Sequence, residues 1–157
     1  MRRPSFVYTL LLSSLLVLTC TQTPTETSGL SLQATISSPT IPIGQFGRLT
    51  YRLQNLTSRS VSLTFSSGCQ VLPFIEDVGD GVVYPPGGAY GCFAVITTIT
   101  LPPFGEKVIT QVVRGDTPSN ATPGAVLPPG SYRGYAVLQS NSRQLELRSA
   151  AVAFEIR

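Results

Sequence analysis

The sequence predicts an all-β domain, an immunoglobulin-like antiparallel β-sandwich of seven to nine strands, and three observations predict it. Two stretches between residues 47 and 66 alternate apolar and polar side chains with the period of a strand. β-Branched and aromatic runs then recur along the chain, divided at short intervals by Gly and Pro turn signals. Outside the N-terminal segment, no window carries an extended apolar stripe with the 3.6-residue period of a helix.

The sandwich opens at Leu30 or Ser31. Leu49, Tyr51 and Leu53 alternate with Arg48, Thr50, Arg52 and Gln54, and Val61, Leu63 and Phe65 alternate with Ser60, Ser62, Thr64 and Ser66. Each is a strand with one wet face, and residues 55–59 form a polar connector that turns a tight corner between them. Further strand-like runs occupy residues 71–76, 82–84, 93–100, 107–114, 132–139 and 145–156. At the end of the last run Ala150, Val152, Phe154 and Ile156 share one side, with Ser149, Ala151, Ala153 and Glu155 on the other. Residues 117–129 are Pro-rich and read as a long, irregular, mobile loop.

The composition excludes several classes of chemistry. The 14 Gly and 13 Pro residues in 157 indicate a turn-rich folded body, with 42% hydrophobic and 12% charged residues. There is no His and no Trp. That removes Ser-His-Asp and Cys-His nucleophiles, His-containing zinc sites and imidazole acid–base chemistry. Without Arg2 and Arg3 the body carries nine basic residues against eight acidic ones, with no run of Lys or Arg. A nucleic-acid partner is not expected from such a charge pattern, and neither a cofactor nor a metal is implied.

Met1, Arg2 and Arg3 form a short positive region, residues 6–18 are mostly apolar, and Val17, Leu18, Thr19 and Cys20 close the run. This is the pattern of an export signal. A membrane-spanning helix needs about 20 apolar residues, and Ser13 and Ser14 interrupt this shorter run. The ending resembles the bacterial lipoprotein signal, with Val17 and Cys20 matching its aliphatic and Cys positions and Thr19 departing from its small residue. The resemblance implies that residues 1–19 are removed, that Cys20 carries diacylglycerol, and that the protein is tethered to the cell membrane or outer membrane. The other reading is an ordinary secretory signal with Cys20 an unmodified thiol. Residues 20–30 then form the lipidated Cys and a Thr/Ser/Pro tether, and residues 31–157 the domain.

Three Cys in an exported chain leave one over, and Cys20 is the natural odd one. Cys69 and Cys92 are then the expected disulfide, closing 22 intervening residues and contributing about 3 kcal/mol through loop entropy. A redox or metal pair needs closer spacing and further ligands.

From Arg48 to Ile156 the chain resembles the intracellular proteinase inhibitor family, the BsuPI domain. Leu49 to Asn55 matches its strand ending in Asn, and Val61 to Gln70 matches its V-x-L-x-F strand and S-G-x-Q-like step. Val71 to Asp77 and Gly81 to Tyr84 follow as its apolar strand and acidic turn. Leu101 to Glu106 looks like its L-x-P-G-E step and Pro129 to Tyr132 its P-G-x-Y step. Tyr84 stands where the family usually has Trp, and the Cys69/Cys92 pair suits export, unlike the intracellular prototype. The resemblance implies a sandwich with a protein-binding or proteinase-inhibiting role, and it transfers no reactive-site residue.

Two candidate sites follow from the residues. Glu76, Asp77 and Asp80 are close enough to read as cation ligands, but Gly79 occupies a ligand position of the EF-hand pattern, so Asp80-Gly81 is expected to be a hairpin turn beside solvated acids. Tyr84, Pro85, Pro86 and Tyr90 belong to a Pro-Gly loop just before Cys92. Its tyrosines either fold onto the sandwich or anchor a protein partner or protease. The expected function is that of a lipid-anchored, non-catalytic binding module, the alternative being an architectural envelope domain with no specific ligand.

Overall fold

The computed structural model describes residues 29–115, 125–141 and 145–157. The expected signal and Cys20 lie outside the described residues. Twelve strand segments are present among those described: β1 (Leu30–Ile36), β2 (Thr40–Ile41), β3 (Phe46–Asn55), β4 (Val61–Phe65), β5 (Val71–Asp77), β6 (Val82–Tyr84), β7 (Thr97–Leu101), β8 (Glu106–Gly115), β9 (Ala125–Leu127), β10 (Gly130–Ser140), β11 (Leu145–Arg148) and β12 (Val152–Ile156). They form an all-β sandwich. One sheet has the order β1-β3-β8-β9, the other β2-β12-β10-β5-β6 with β11 also on β10, and β4 pairs with β7 alone.

Alternation places the core. Leu49, Tyr51 and Leu53 of β3 are fully buried, as are Leu30 and Leu32 of β1, which runs antiparallel to it with Leu32 opposite Leu53. They meet Ile75 of β5, Ala136 and Leu138 of β10, and Phe154 and Ile156 of β12, while β4 and β7 add Leu63, Phe65, Ile99 and Leu101. Each Leu, Ile or Phe among them contributes about 1.5–3 kcal/mol when withdrawn from water. The sheets approach closely at Gly134 of β10, where an added Cβ would lie 2.8 Å from a methyl of Leu49. On the wet face of β3, Arg52 reaches Glu106 of β8 at 2.6 Å.

The corner after β3 carries the chain from one sheet to the β4–β7 pair, so the two clearest strands follow one another without pairing. Buried Asn55 builds that corner. Its Nδ2 donates to the carbonyls of Arg59 at 2.7 Å and Pro102 at 2.8 Å, and its Oδ1 accepts the backbone N–H of Thr57 at 3.0 Å.

Four expectations are corrected. The run at 93–100 is a strand only from Thr97, where it finds the edge of β4; residues 93–96 have no ladder partner and form a loop. The run at 145–156 divides into β11 and β12, which pair with β10 at Val137–Ser140 and Gly130–Gly134. Between them Ser149 turns inward, its N–H donating to the Ala136 carbonyl and its Oγ accepting the Ala136 N–H, both at 3.0 Å. This break reverses the alternation, so Ala150 is exposed. Within 117–129, Ala125–Leu127 is a strand running parallel to β8. Finally, β2, β6 and β9 are two- or three-residue segments, and with the divided last run they raise the segment number above seven to nine.

Candidate functional site

The segment from the end of β5 to the start of β7 holds the residues singled out from sequence. It opens with a hairpin turn in which Asp77 Oδ1 accepts the N–H groups of Gly79 at 2.8 Å and Gly81 at 3.0 Å. Asp80 takes a positive φ of 62° and pairs with Arg133. Glu76 accepts the Tyr135 hydroxyl at 2.7 Å and has Arg148 at 3.6 Å. The three acids therefore spend their charge on the hairpin and on β10 and β11, and they do not converge on a common point.

After β6 the chain passes a cis Tyr84–Pro85 bond and turns through Gly87 and Gly88, both at positive φ, with Gly88 N–H on the Pro85 carbonyl at 2.8 Å. Only glycine adopts two successive left-handed conformations at little cost. The turn sends the loop back over the sandwich. Tyr84 pairs with Ile75 in the β5–β6 ladder, and Pro85 is buried. Tyr90 meets the Tyr84 ring edge-on at 6.2 Å and that of Phe74 at 5.7 Å, and its hydroxyl donates to the Pro73 carbonyl. Phe74 stacks on Tyr135 at 5.4 Å, and the Arg148 guanidinium covers Tyr135 at 3.8 Å. These contacts tie β6, β5, β10 and β11 together across four rings and one cation.

Burial, then the neighbouring Tyr84, pushes the Tyr90 phenol well above its ordinary value, and the same two causes act on Tyr51 in the core. Burial and the hydrogen bond to Glu76 raise Tyr135. All three are neutral near pH 7. Of the loop residues Tyr84, Pro85, Pro86 and Tyr90, the two tyrosines and Pro85 pack inward, while Pro86 is exposed with residues 87–89.

The exposed apolar surface lies further on. Cys69 and Cys92 form a disulfide with their Cα atoms 5.6 Å apart. Beside it the Phe93 carbonyl accepts the N–H groups of Gly68 and Val95, each at 3.0 Å, and Thr97 Oγ1 donates to the Ser67 carbonyl at 2.7 Å. Held at both ends, the segment exposes Phe93 (86%) and Ile96 (78%), with Val95 also exposed. The sequence offered one signal for it, an apolar run directly after a bridged Cys, and that run also fits a strand. A shallow pocket of about 240 Å³ lies beside the disulfide, between Gln70, Leu72, Tyr90 and Lys107. Among the described residues, no helix is long and apolar enough to cross a membrane.

No protein-family model matches the chain, and no curated protein matches it. Solved structures similar to it include the DNA glycosylase AlkC of Pseudomonas fluorescens bound to DNA (TM-score 0.46, 15% identity, 82% of this chain and 30% of that one). The CARDB domain of the PF1109 protein from Pyrococcus furiosus, in complex with di-metal ions, has a TM-score of 0.48 at 15% identity over 83% of this chain and 90% of that one. The C-terminal domain of wzt has a TM-score of 0.47 at 9% identity, covering 82% and 74%. The chain spans less than a third of the glycosylase and 16% of a Listeria innocua β-glucosidase it also matches. None of these similarities bears on what this chain binds.

Proposed function

We propose that the chain is exported, held at the bacterial cell envelope by lipid on Cys20, and presents its sandwich as a non-catalytic protein-binding module, with proteinase inhibition as one form of that activity. The observation that carries the binding reading is the segment 93–96, which exposes Phe93 and Ile96 on a backbone held by the Cys69–Cys92 disulfide and by Ser67 and Gly68. A loop already ordered before association loses little entropy on binding, and exposed aromatic side chains supply anchoring area. The disulfide belongs to an oxidising compartment, which supports export. The signal pattern ending at Cys20 supports the anchor, and the resemblance to the proteinase inhibitor domain supports the class of partner.

The architectural reading is favoured by the inward packing of Tyr84 and Tyr90, which leaves the loop before Cys92 little aromatic surface to offer. The test separates the two. Photo-crosslinking from position 93 of the lipidated protein in its own envelope is expected to capture a defined protein, and Ile96→Ser is expected to weaken that capture while leaving thermal unfolding unchanged. Inhibition of a panel of serine proteases by the same preparation reads the narrower activity. Absence of both capture and inhibition leaves the architectural role.

A further inference from the structure

We propose that the end of the sandwich where the tether enters is a membrane-docking surface, with Phe104 and Leu56 seated among lipid headgroups and upper acyl chains. The inference rests on the reading of Cys20 as the lipid anchor. The chain enters the described domain at Gly29, and the Gly29 carbonyl accepts the N–H of Leu56 at 2.8 Å. One residue on, the Thr57 carbonyl accepts the N–H of Phe104 at 3.1 Å. The entry point, Leu56 and Phe104 therefore lie side by side, fixed through Asn55 to both loops.

Phe104 is the unusual member. It is the third residue of a four-residue turn closed by Gly105 N–H on the Pro102 carbonyl at 2.9 Å, and it has a φ of 55°. Turns with positive φ at that place favour Gly or Asn, and a bulky side chain there is strained. Strain is ordinarily offset by packing, yet Phe104 is 67% exposed and Leu56 is 41% exposed. Nothing within the described residues covers the aromatic ring enough to explain its place.

The length of chain before Gly29 identifies the cover. Residues 21–29 reach at most about 30 Å when fully extended, so an anchor at Cys20 holds this end of the domain close to the bilayer at all times. At such an effective concentration a contact too weak to recruit a free protein is populated. Phe and Leu suit the interfacial zone, and exposed Arg59, on the same loop as Leu56, suits anionic headgroups.

The chain holds no Trp, so Leu56→Trp in the full-length lipidated protein is a unique fluorophore. In vesicles of phosphatidylethanolamine and phosphatidylglycerol brominated on their upper acyl chains, its emission is expected to move to the blue and to fall by roughly half or more on seating in the interface. Val78→Trp, on the exposed β5–β6 turn, is expected to change little. Phe104→Asn, which suits the turn better, is expected to remove most of the quenching at position 56. Mass spectrometry of the same preparation reads Cys20. Acylated Cys20 with no quenching at position 56 overturns the docking surface and leaves the anchor standing. An unmodified Cys20 overturns the anchor and the docking surface with it. Shielding of position 56 only when an envelope protein is added, with no effect of bromine, assigns the face to that protein and overturns the proposal.

Discussion

The carboxamide of Asn55 donates to the carbonyl oxygen of Pro102 at 2.8 Å, joining the corner after β3 to the turn before β8. The same Nδ2 also donates to the carbonyls of Arg59 at 2.7 Å and Leu101 at 3.4 Å, and the side-chain oxygen accepts from Thr57. The side chain is buried, so water cannot replace it.

Asn55→Ala leaves these backbone groups unpaired. The expected cost is about 2 kcal/mol, from more than one unmade, partly buried hydrogen bond. Urea unfolding should show a lower midpoint with an unchanged slope.

Phe104→Gly acts at the same end with the opposite sign. Releasing a left-handed aromatic residue is expected to stabilise the protein by about 1 kcal/mol, read as a higher melting temperature.

Tyr51 is fully buried, and its hydroxyl has no hydrogen-bond partner among the described residues. Tyr51→Phe removes that orphan and is expected to stabilise the fold by about 1 kcal/mol. The pH response has a definite sign. Burial raises the folded-state pKa of Tyr51 and Tyr90 above the ordinary value of 10.0, so the unfolded chain releases these protons first. The stabilisation is complete below pH 10 and is lost as pH rises beyond it. In Tyr51→Phe the alkaline loss should be shallower, which urea midpoints measured across the alkaline range will read.

Gly134 faces Leu49 across the two sheets. Gly134→Ala is expected to cost about 1–3 kcal/mol by overpacking. Combined with Leu49→Val the loss should be less than the sum of the single losses, a double-mutant cycle measured by thermal unfolding.

Cys69→Ser opens a loop of sequence separation 23. About 3 kcal/mol of stability should go with it, and proteolysis between residues 91 and 96 should quicken.

Where one face of a strand is wet, the sequence carries the answer: Leu49, Tyr51, Leu53 and Val61, Leu63, Phe65 are buried as their alternation requires. The disulfide was reachable by counting once Cys20 was set aside. Phe93, Val95 and Ile96 misled because their composition is that of a strand, while strand formation also requires a partner edge, which is available only from Thr97. Ala125–Leu127 is too short to show a period and sits among prolines. The tyrosines at 84 and 90 left two directions open because no local pattern fixes which way a loop folds; the choice is made by Pro73 and Phe74, distant in sequence. The exposure of Leu56 and Phe104 is not legible locally for a similar reason, since it depends on what the rest of the chain leaves uncovered.

β10 is the hub of the larger sheet, taking β5 on one edge and β11 and β12 on the other. Its partners in β5 lie 55 to 67 positions upstream, and β12 supplies the neighbour of β2. Such distant pairing is slow to form. A chain still emerging from a ribosome has no complete second sheet until Ile156 is free, so closure of the sandwich waits for β12.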